Sequence, residues 1–322
     1  MTAKRSLSGI KPTGTPHIGN YLGMIKPAIK LQEVCETFYF IADYHALTTL
    51  PNPQDVRNHS YELVATFYSL GMDTENHAFF KQSDIPEVTE LTWILSCITS
   101  KGVLERAHAY KDATAKKQEI NHGLFSYPVL MASDILIYDS HYVPVGKDQT
   151  QHLEMTRDMA IRFNHIYGET LVVPEALIAD EVATIPGLDG RKMSKSYNNT
   201  IPLFAPEKKL RKLMMKIVTD SKTVEEPKDP ETDNVFALFK LFATEEQQID
   251  LANRYRAGNM GYGVAKQECF EVINEALQEA RASYFEIRED YKKLDGILET
   301  GRDKARPVAR QVINRVRDRV GL

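Results

Sequence analysis

The sequence is poor in cysteine, in tryptophan and in long apolar runs, and it has no overall excess of positive charge. Its three cysteines, Cys35, Cys97 and Cys269, are scattered through 322 residues, too few and too far apart for a disulfide framework or a zinc knuckle. No apolar stretch approaches the roughly 18 residues that a membrane span needs. The opening MTAKRSLSGIKPTG has basic residues but no apolar region behind them, so no secretory leader is expected and a cytoplasmic location is. With 40 Lys and Arg against 44 Asp and Glu, the net charge is −4, which argues against bulk electrostatic binding of nucleic acid. That average hides a gradient. Residues 301–322 hold Arg302, Lys304, Arg306, Arg310, Arg315, Arg317 and Arg319 against Asp303 and Asp318, a local +5, which leaves −9 for the rest.

Hydrophobic residues at 43% and charged residues at 26% are the balance of a globular protein, and the length suits one large domain and a smaller one. The first half alternates short β-rich runs (SLSGI, TFYFIAD, HAFFKQ, HYVPVG, TLVVPE) with helical patterns. Such alternation predicts a parallel sheet with helices on both faces, with ligands at the carboxyl ends of the strands. Beyond about residue 200 the strand signal stops and helical patterns take over, as in ECFEVINEALQEARASYFEIREDYKKL. The expected fold is therefore α/β: a Rossmann-type parallel-sheet catalytic domain over 1–200 and an all-helical domain over 201–322. The polar run YNNT with Pro202 and Pro206 marks the boundary, and TDSKTVEEPKDPETDN is expected to be an exposed loop.

Four segments carry chemistry. GIKPTGTPHIGN at 9–20 lies between a strand and a helix, where glycines admit a phosphate to the backbone and the helix start offers free N–H groups. Thr13, His17 and Asn20 are donors there. RKMSKS at 191–196 follows the turn GLDG; Lys192 and Lys195 on one loop form a clamp for a charged leaving group, where fixed cations act most strongly. YPVLMASDILIY at 127–138 is expected to begin a helix at Pro128, with Met131 and Asp134 on one face and Tyr127 just ahead of it. A carboxylate in so apolar a helix is costly unless paired. PVGKDQTQHLE at 144–154 reads as strand end, glycine turn and helix start.

The pair His17-Ile18-Gly19-Asn20 and Lys192-Met193-Ser194-Lys195-Ser196 resembles the two signatures of the class I aminoacyl-tRNA synthetases. The second matches fully. Asparagine in place of the last histidine of the first, followed by tyrosine, resembles the tryptophan enzymes in particular, as does GKDQTQHLE. The resemblance implies activation of L-tryptophan with ATP, Mg2+ accompanying the nucleotide, and transfer to tRNA(Trp) by a homodimer whose helical domain binds the anticodon; no membrane and no DNA are implied. Catalysis would fall to Thr13, His17, Asn20, Lys192 and Lys195. ATP would meet Lys11, Pro12, Thr13, Gly19, Asn20, Gly146, Lys147, Asp148, Ile185 and the whole of Lys192 to Ser196. Tryptophan would meet Tyr127, Met131, Gln149, His45 and Asp134, the last accepting the indole N–H.

No protein metal site is expected, and His152 and Glu154 read as structural. Lys111, Lys116 and Lys117 are expected in a loop near phosphates. Lys11 departs from the pattern, since many tryptophan enzymes carry glutamine there; a cation would meet the substrate carboxylate or a phosphate directly. Val308, Val312, Val316 and Val320 repeat every four residues, an apolar helical stripe whose flanking arginines either meet tRNA phosphates or lie along the helix surface. Two other readings stay open: a tyrosine enzyme of the same fold, and an inactive relative that binds tRNA or tryptophan in regulation.

Overall fold

The computed structural model describes residues 4–49, 51–146, 149–178 and 185–322. The chain divides into two compact units: Met1–Gly14, Pro27–Asp180 and Ile287–Leu322 form the first, Thr15–Lys26 and Glu181–Glu286 the second.

The first unit is built on a five-stranded sheet: β1 (Arg5–Ile10), β2 (Glu36–Ile41), β3 (Ala78–Lys81), β4 (Tyr142–Val145) and β5 (Glu175–Ile178). All pairings are parallel, in the order β3-β2-β1-β4-β5, the Rossmann-type α/β arrangement that the alternation predicts. β2 is buried on both faces from Thr37 to Ile41, as a central parallel strand must be. Between β1 and β2, Gly9 pairs with Phe40, and a Cβ on Gly9 would stand 2.4 Å from the Phe40 ring, so only glycine fits. The order of strands reverses at β1 and β4. Their carboxyl ends define the crevice where such sheets bind ligands, and both the 9–20 segment and the 144–154 segment leave the sheet there.

Among the covering helices are α1 (Pro53–Ser69), α2 (Glu87–Ile98), α3 (His122–Leu136) and α4 (Thr150–Tyr167). Helix α3 starts six residues before the expected Pro128, because Asn121 caps it by accepting the Leu124 N–H at 2.8 Å. Pro128 therefore lies inside the helix, where it removes one intrahelical hydrogen bond, and Tyr127 is helical instead of preceding the first turn. The fifth strand also lies later than TLVVPE. The N–H groups of Thr170 and Leu171 are spent on Asn164 Oδ1, at 3.0 and 2.8 Å, and are lost to a ladder.

The second unit holds α5 (Glu207–Met214), α6 (Glu245–Ala257) and α7 (Tyr262–Ala276). Thr244 caps α6 in a reciprocal box with Gln247. Buried Leu210, Met214, Phe236, Phe239, Leu251, Tyr255, Cys269 and Ile273 form its interior. The charged stretch after residue 218 is mostly exposed loop, although Lys228 is buried and donates to the carbonyls of Thr223 and Glu226.

The last helix, α8 (Tyr291–Val320), belongs to the first unit, so the division at residue 200 does not follow the compact units. Its apolar stripe is the reason. Ala305, Ala309, Val312, Ile313 and Val316 join Leu7, Phe38 and Phe80 in one core, with Val308 and Val320 packed against it. At Gly301 the helix lies on the backbone of β3; a Cβ there would come within 1.9 Å of the Phe79 carbonyl oxygen. The arginines beside the stripe are already paired: Arg306 and Arg310 with Glu87, Arg315 with Asp139, and Arg317 with Glu90. Lys304 donates to backbone carbonyls of Thr74, Glu75 and His77.

Candidate active site

In the second unit, Pro16 to Ile18 pair with 201–203: Ile18 N–H reaches the Ile201 carbonyl and Leu203 N–H the Pro16 carbonyl, both at 3.0 Å. This places His17, extended at φ −118°, as the cap of the helical run that starts at Ile18. His17 Nδ1 accepts the Asn20 N–H at 3.2 Å, and Asn20 Oδ1 accepts the His17 N–H at 3.1 Å. Gly19 has no room for a side chain, since a Cβ would sit 2.9 Å from His17 Nδ1. The ring is buried, and burial, followed by the charge of Lys195, lowers its pKa to about 4. A neutral imidazole whose Nδ1 accepts must carry its proton on Nε2. His17 is thus a fixed, uncharged Nε2–H donor, and Asn20 keeps its amide NH2 as a second.

The two signatures meet within this unit: the Gly19 N–H approaches Met193 Sδ at 3.4 Å. Met193 is buried and its N–H bonds to the Ile185 carbonyl at 2.9 Å, while Lys192, Lys195 and Ser196 are exposed and Ser194 is half-buried. Asn199 organises the loop. Buried to 2% exposure, its Oδ1 accepts the Ser194 N–H at 2.8 Å, and its Nδ2 donates to Asp189 at 2.6 Å and to the Lys192 carbonyl at 3.1 Å. Its own carbonyl accepts the Leu188 N–H. Sequence reasoning took YNNT as a boundary and missed this residue; the only signal was an asparagine three residues past the signature.

In the first unit the polar groups gather after β2 and β3. His45, in the turn of helix Asp43–Ala46, lies with Nε2 2.7 Å from Asp134 Oδ2. Gln82, directly after β3, donates to both Asp134 oxygens at 2.8 and 3.0 Å while its Oε1 accepts the Tyr44 N–H at 3.1 Å. Asp43 accepts from the N–H and hydroxyl of Ser83. All but Asp43, Tyr44 and Ser83 of this network are deeply placed, with Asp134 at 1% exposure and Gln82 at 1%. Burial raises the Asp134 pKa against the opposing pull of His45 and Gln82. The carboxylate accepts three contacts of the roughly four its oxygens can take, so one acceptor direction remains.

Tyr127, one helical face with Met131 and Asp134, places its hydroxyl 2.8 Å from His152 Nε2 and its ring edge-on to His45 at 6.0 Å. Burial pushes the Tyr127 pKa up to about 12, so the phenol stays neutral. His152 is therefore a partner of the site, beyond the purely structural part expected. The Lys11 amine stands 5.8 Å over the Tyr127 ring, and its pKa is lowered by lost hydration. Pro12 is buried, Thr13 and Gly146 are exposed, and Gly14 turns at φ 90°. The Gln149 N–H bonds to the Gly146 carbonyl at 2.9 Å. Lys147 and Asp148 lie outside the described residues. Lys111 falls in the helix His108–Ala115, with Lys116 capping it, instead of in a loop.

Among the described residues no cluster of three metal-ligating side chains occurs, and no helix is long and apolar enough to cross a membrane. Residues 2–278 match the family described as tRNA synthetases class I (W and Y). The chain is 51% identical over 318 residues to the tryptophan–tRNA ligase of Rhodopirellula baltica, covering 99% of each, and 50% identical over 320 residues to that of Fusobacterium nucleatum, covering 99% of this chain and 98% of the other. The crystal structure of tryptophanyl-tRNA synthetase from Campylobacter jejuni complexed with ADP and tryptophan superposes with a TM-score of 0.93 at 47% identity, covering 99% of this chain and 100% of that one.

Proposed function

This chain belongs to the class I tRNA synthetases of the W and Y family, and from that membership we propose how its residues carry out tryptophan–tRNA ligation. In the first step a carboxylate oxygen of tryptophan attacks the α-phosphorus of ATP. A P–O bond forms, the bond to the β-phosphate oxygen breaks, and pyrophosphate leaves with tryptophanyl-adenylate as product. A ribose hydroxyl at the tRNA 3′ end then attacks the acyl carbon and releases AMP.

No protein nucleophile is needed, so the protein contributes position and charge. The observation that carries this reading is the neutral, Nε2-protonated His17 held in one unit with the KMSKS loop. His17 and Thr13 donate to phosphoryl oxygens as negative charge builds; Lys192 and Lys195 take the charge of the leaving pyrophosphate; Asn20, Gly19, Met193, Ser194, Ser196 and Ile185 shape the nucleotide's surroundings. These groups are donors and cations suited to phosphate oxygens, not to a metal. Mg2+ bound with the nucleotide would supply charge neutralisation at the phosphates, and the protein's own donors and cations would do the rest.

In the first unit, the free acceptor direction of Asp134 takes the indole N–H, and Tyr127, Met131, His45 and Gln149 surround the amino acid. Phenylalanine has no such donor and would leave a buried carboxylate short of a partner, a kind of rejection that reaches roughly 10⁴- to 10⁵-fold. The enzyme works in the cytoplasm as a homodimer, with tRNA bound in part by the helices beyond residue 200. ATP–pyrophosphate exchange with each of the twenty amino acids tests the reading: tryptophan alone should support exchange. Exchange with tyrosine, or with none, would overturn it.

A further inference from the structure

Away from the signature loop, two helical segments are rich in basic residues, and they differ in how far their cations are paired. Along α8, Arg306 and Arg310 pair with Glu87, Arg315 with Asp139 and Arg317 with Glu90, all inside the first unit. In α5 and the turn after it, Lys208, Lys209, Lys212 and Lys216 are exposed, and among the described residues none of the four has a salt-bridge partner. Lys208, Lys212 and Lys216 are four residues apart, so they stand in one row with a step of about 6 Å. Lys209 flanks that row. Leu210 and Met214, on the far side, are fully buried.

Helix stability does not account for this row. Like charges four apart repel, each pair costing a few tenths of a kcal/mol. Lys208 and Lys209 also occupy the first turn, where the helix dipole disfavours cations. The acids of α7 beside it are otherwise engaged. Glu268 is held by Arg254 at 2.5 Å, and Glu271 accepts from Gln267, which in turn accepts from Arg211. Glu268 and Glu271 line the groove beside Arg211, which is why Arg211 is left out of the row. In a chain of net charge −4, four lysines within 208–216 that form no salt bridge with any described residue are a local exception.

We propose that this lysine row is the surface on which the helical unit grips the phosphate backbone of tRNA, and that the arginine-rich C-terminal helix is an internal clamp with no such part. The inference rests on the reading of the chain as a tRNA ligase. A ridge of ammonium groups meets phosphates as point charges and not base edges, so its contribution is independent of sequence and screened by salt.

The test uses the full chain carrying Lys208→Gln, Lys212→Gln and Lys216→Gln together, beside a Lys→Arg triple variant. Fluorescence anisotropy with tRNA(Trp) across a salt series should show Kd raised about tenfold or more at low salt and the slope of log Kd against log salt reduced by about 3. The arginine variant should bind as the parent does. A non-cognate tRNA should lose affinity to the same extent. Tryptophan-dependent ATP–pyrophosphate exchange, measured on the same preparations, reports the activation reading separately and should be unchanged. Unaltered tRNA affinity and slope with exchange intact would overturn the proposal. If the triple variant loses exchange, the single variants Lys208→Gln and Lys212→Gln read the same slope, each expected to lower it by about 1. An Arg306→Gln, Arg317→Gln variant that lost tRNA affinity at unchanged thermal stability would also overturn it.

Discussion

The polar cluster around Asp134 and the loop around Asn199 solve different problems with opposite means. Asp134 is a buried ionisable group enclosed by His45 and Gln82, so its geometry is set before any substrate arrives. The 187–199 loop has one buried neutral amide holding the backbone, while its lysines stay in solvent. A small apolar substrate with a single N–H must be recognised by a rigid acceptor in a dry place, where a missing partner is costly. A leaving group that carries several charges is met by long cations that keep their hydration until it appears.

The contrast can be broken first at Asp134. Asp134→Ala removes the acceptor and strands the donors of His45 and Gln82, so kcat/KM for tryptophan in pyrophosphate exchange should fall by about 10³-fold or more, with KM for ATP moved little. Near-normal tryptophan kinetics would take Asp134 out of the pocket. Asn199→Ala should act the other way: tryptophan binding at equilibrium stays as in the parent, while kcat of activation drops by roughly 10- to 100-fold as Lys192 and Lys195 lose their fixed backbone. A rise in the tryptophan Kd with kcat intact would reverse the assignment.

The smallest effect is on pH. His17 titrates near 6.5 when unfolded and at about 4 in the fold, so between those values the unfolded chain binds more protons. Stability should therefore decline as pH falls from about 6.5 towards 4, and His17→Asn should flatten that slope in urea melts at a series of pH values. Activation by the parent should show no ionisation of His17 above pH 6; a kcat profile breaking near 6.5 and abolished in His17→Asn would show an ordinary, exposed imidazole.

Much of this was legible in the linear sequence. Alternating strands and helices foretold the parallel sheet, and the two signatures foretold the family, because glycines, capping residues and clustered lysines leave their pattern in neighbouring positions. What was misread turned on distant partners. Pro128 signalled a helix start, but Asn121 outbid it by capping further upstream. Residues 170–174 have strand composition, but Asn164 takes the amides of Thr170 and Leu171. Gln82 and Asn199 carry no local mark at all: a glutamine after one strand and an asparagine after a lysine loop join the candidate site only through what the fold brings within 3 Å.

The C-terminal charge gradient shows the same division. Composition and a period of four determined that residues 301–322 would form a basic amphipathic helix, because both properties belong to neighbouring residues. Only the tertiary structure decided that Arg306, Arg310, Arg315 and Arg317 would close on Glu87, Asp139 and Glu90, more than 170 residues away in the chain, while the lysines of α5 stay exposed. Charge can be counted along a sequence; whether it is neutralised depends on distances across the fold.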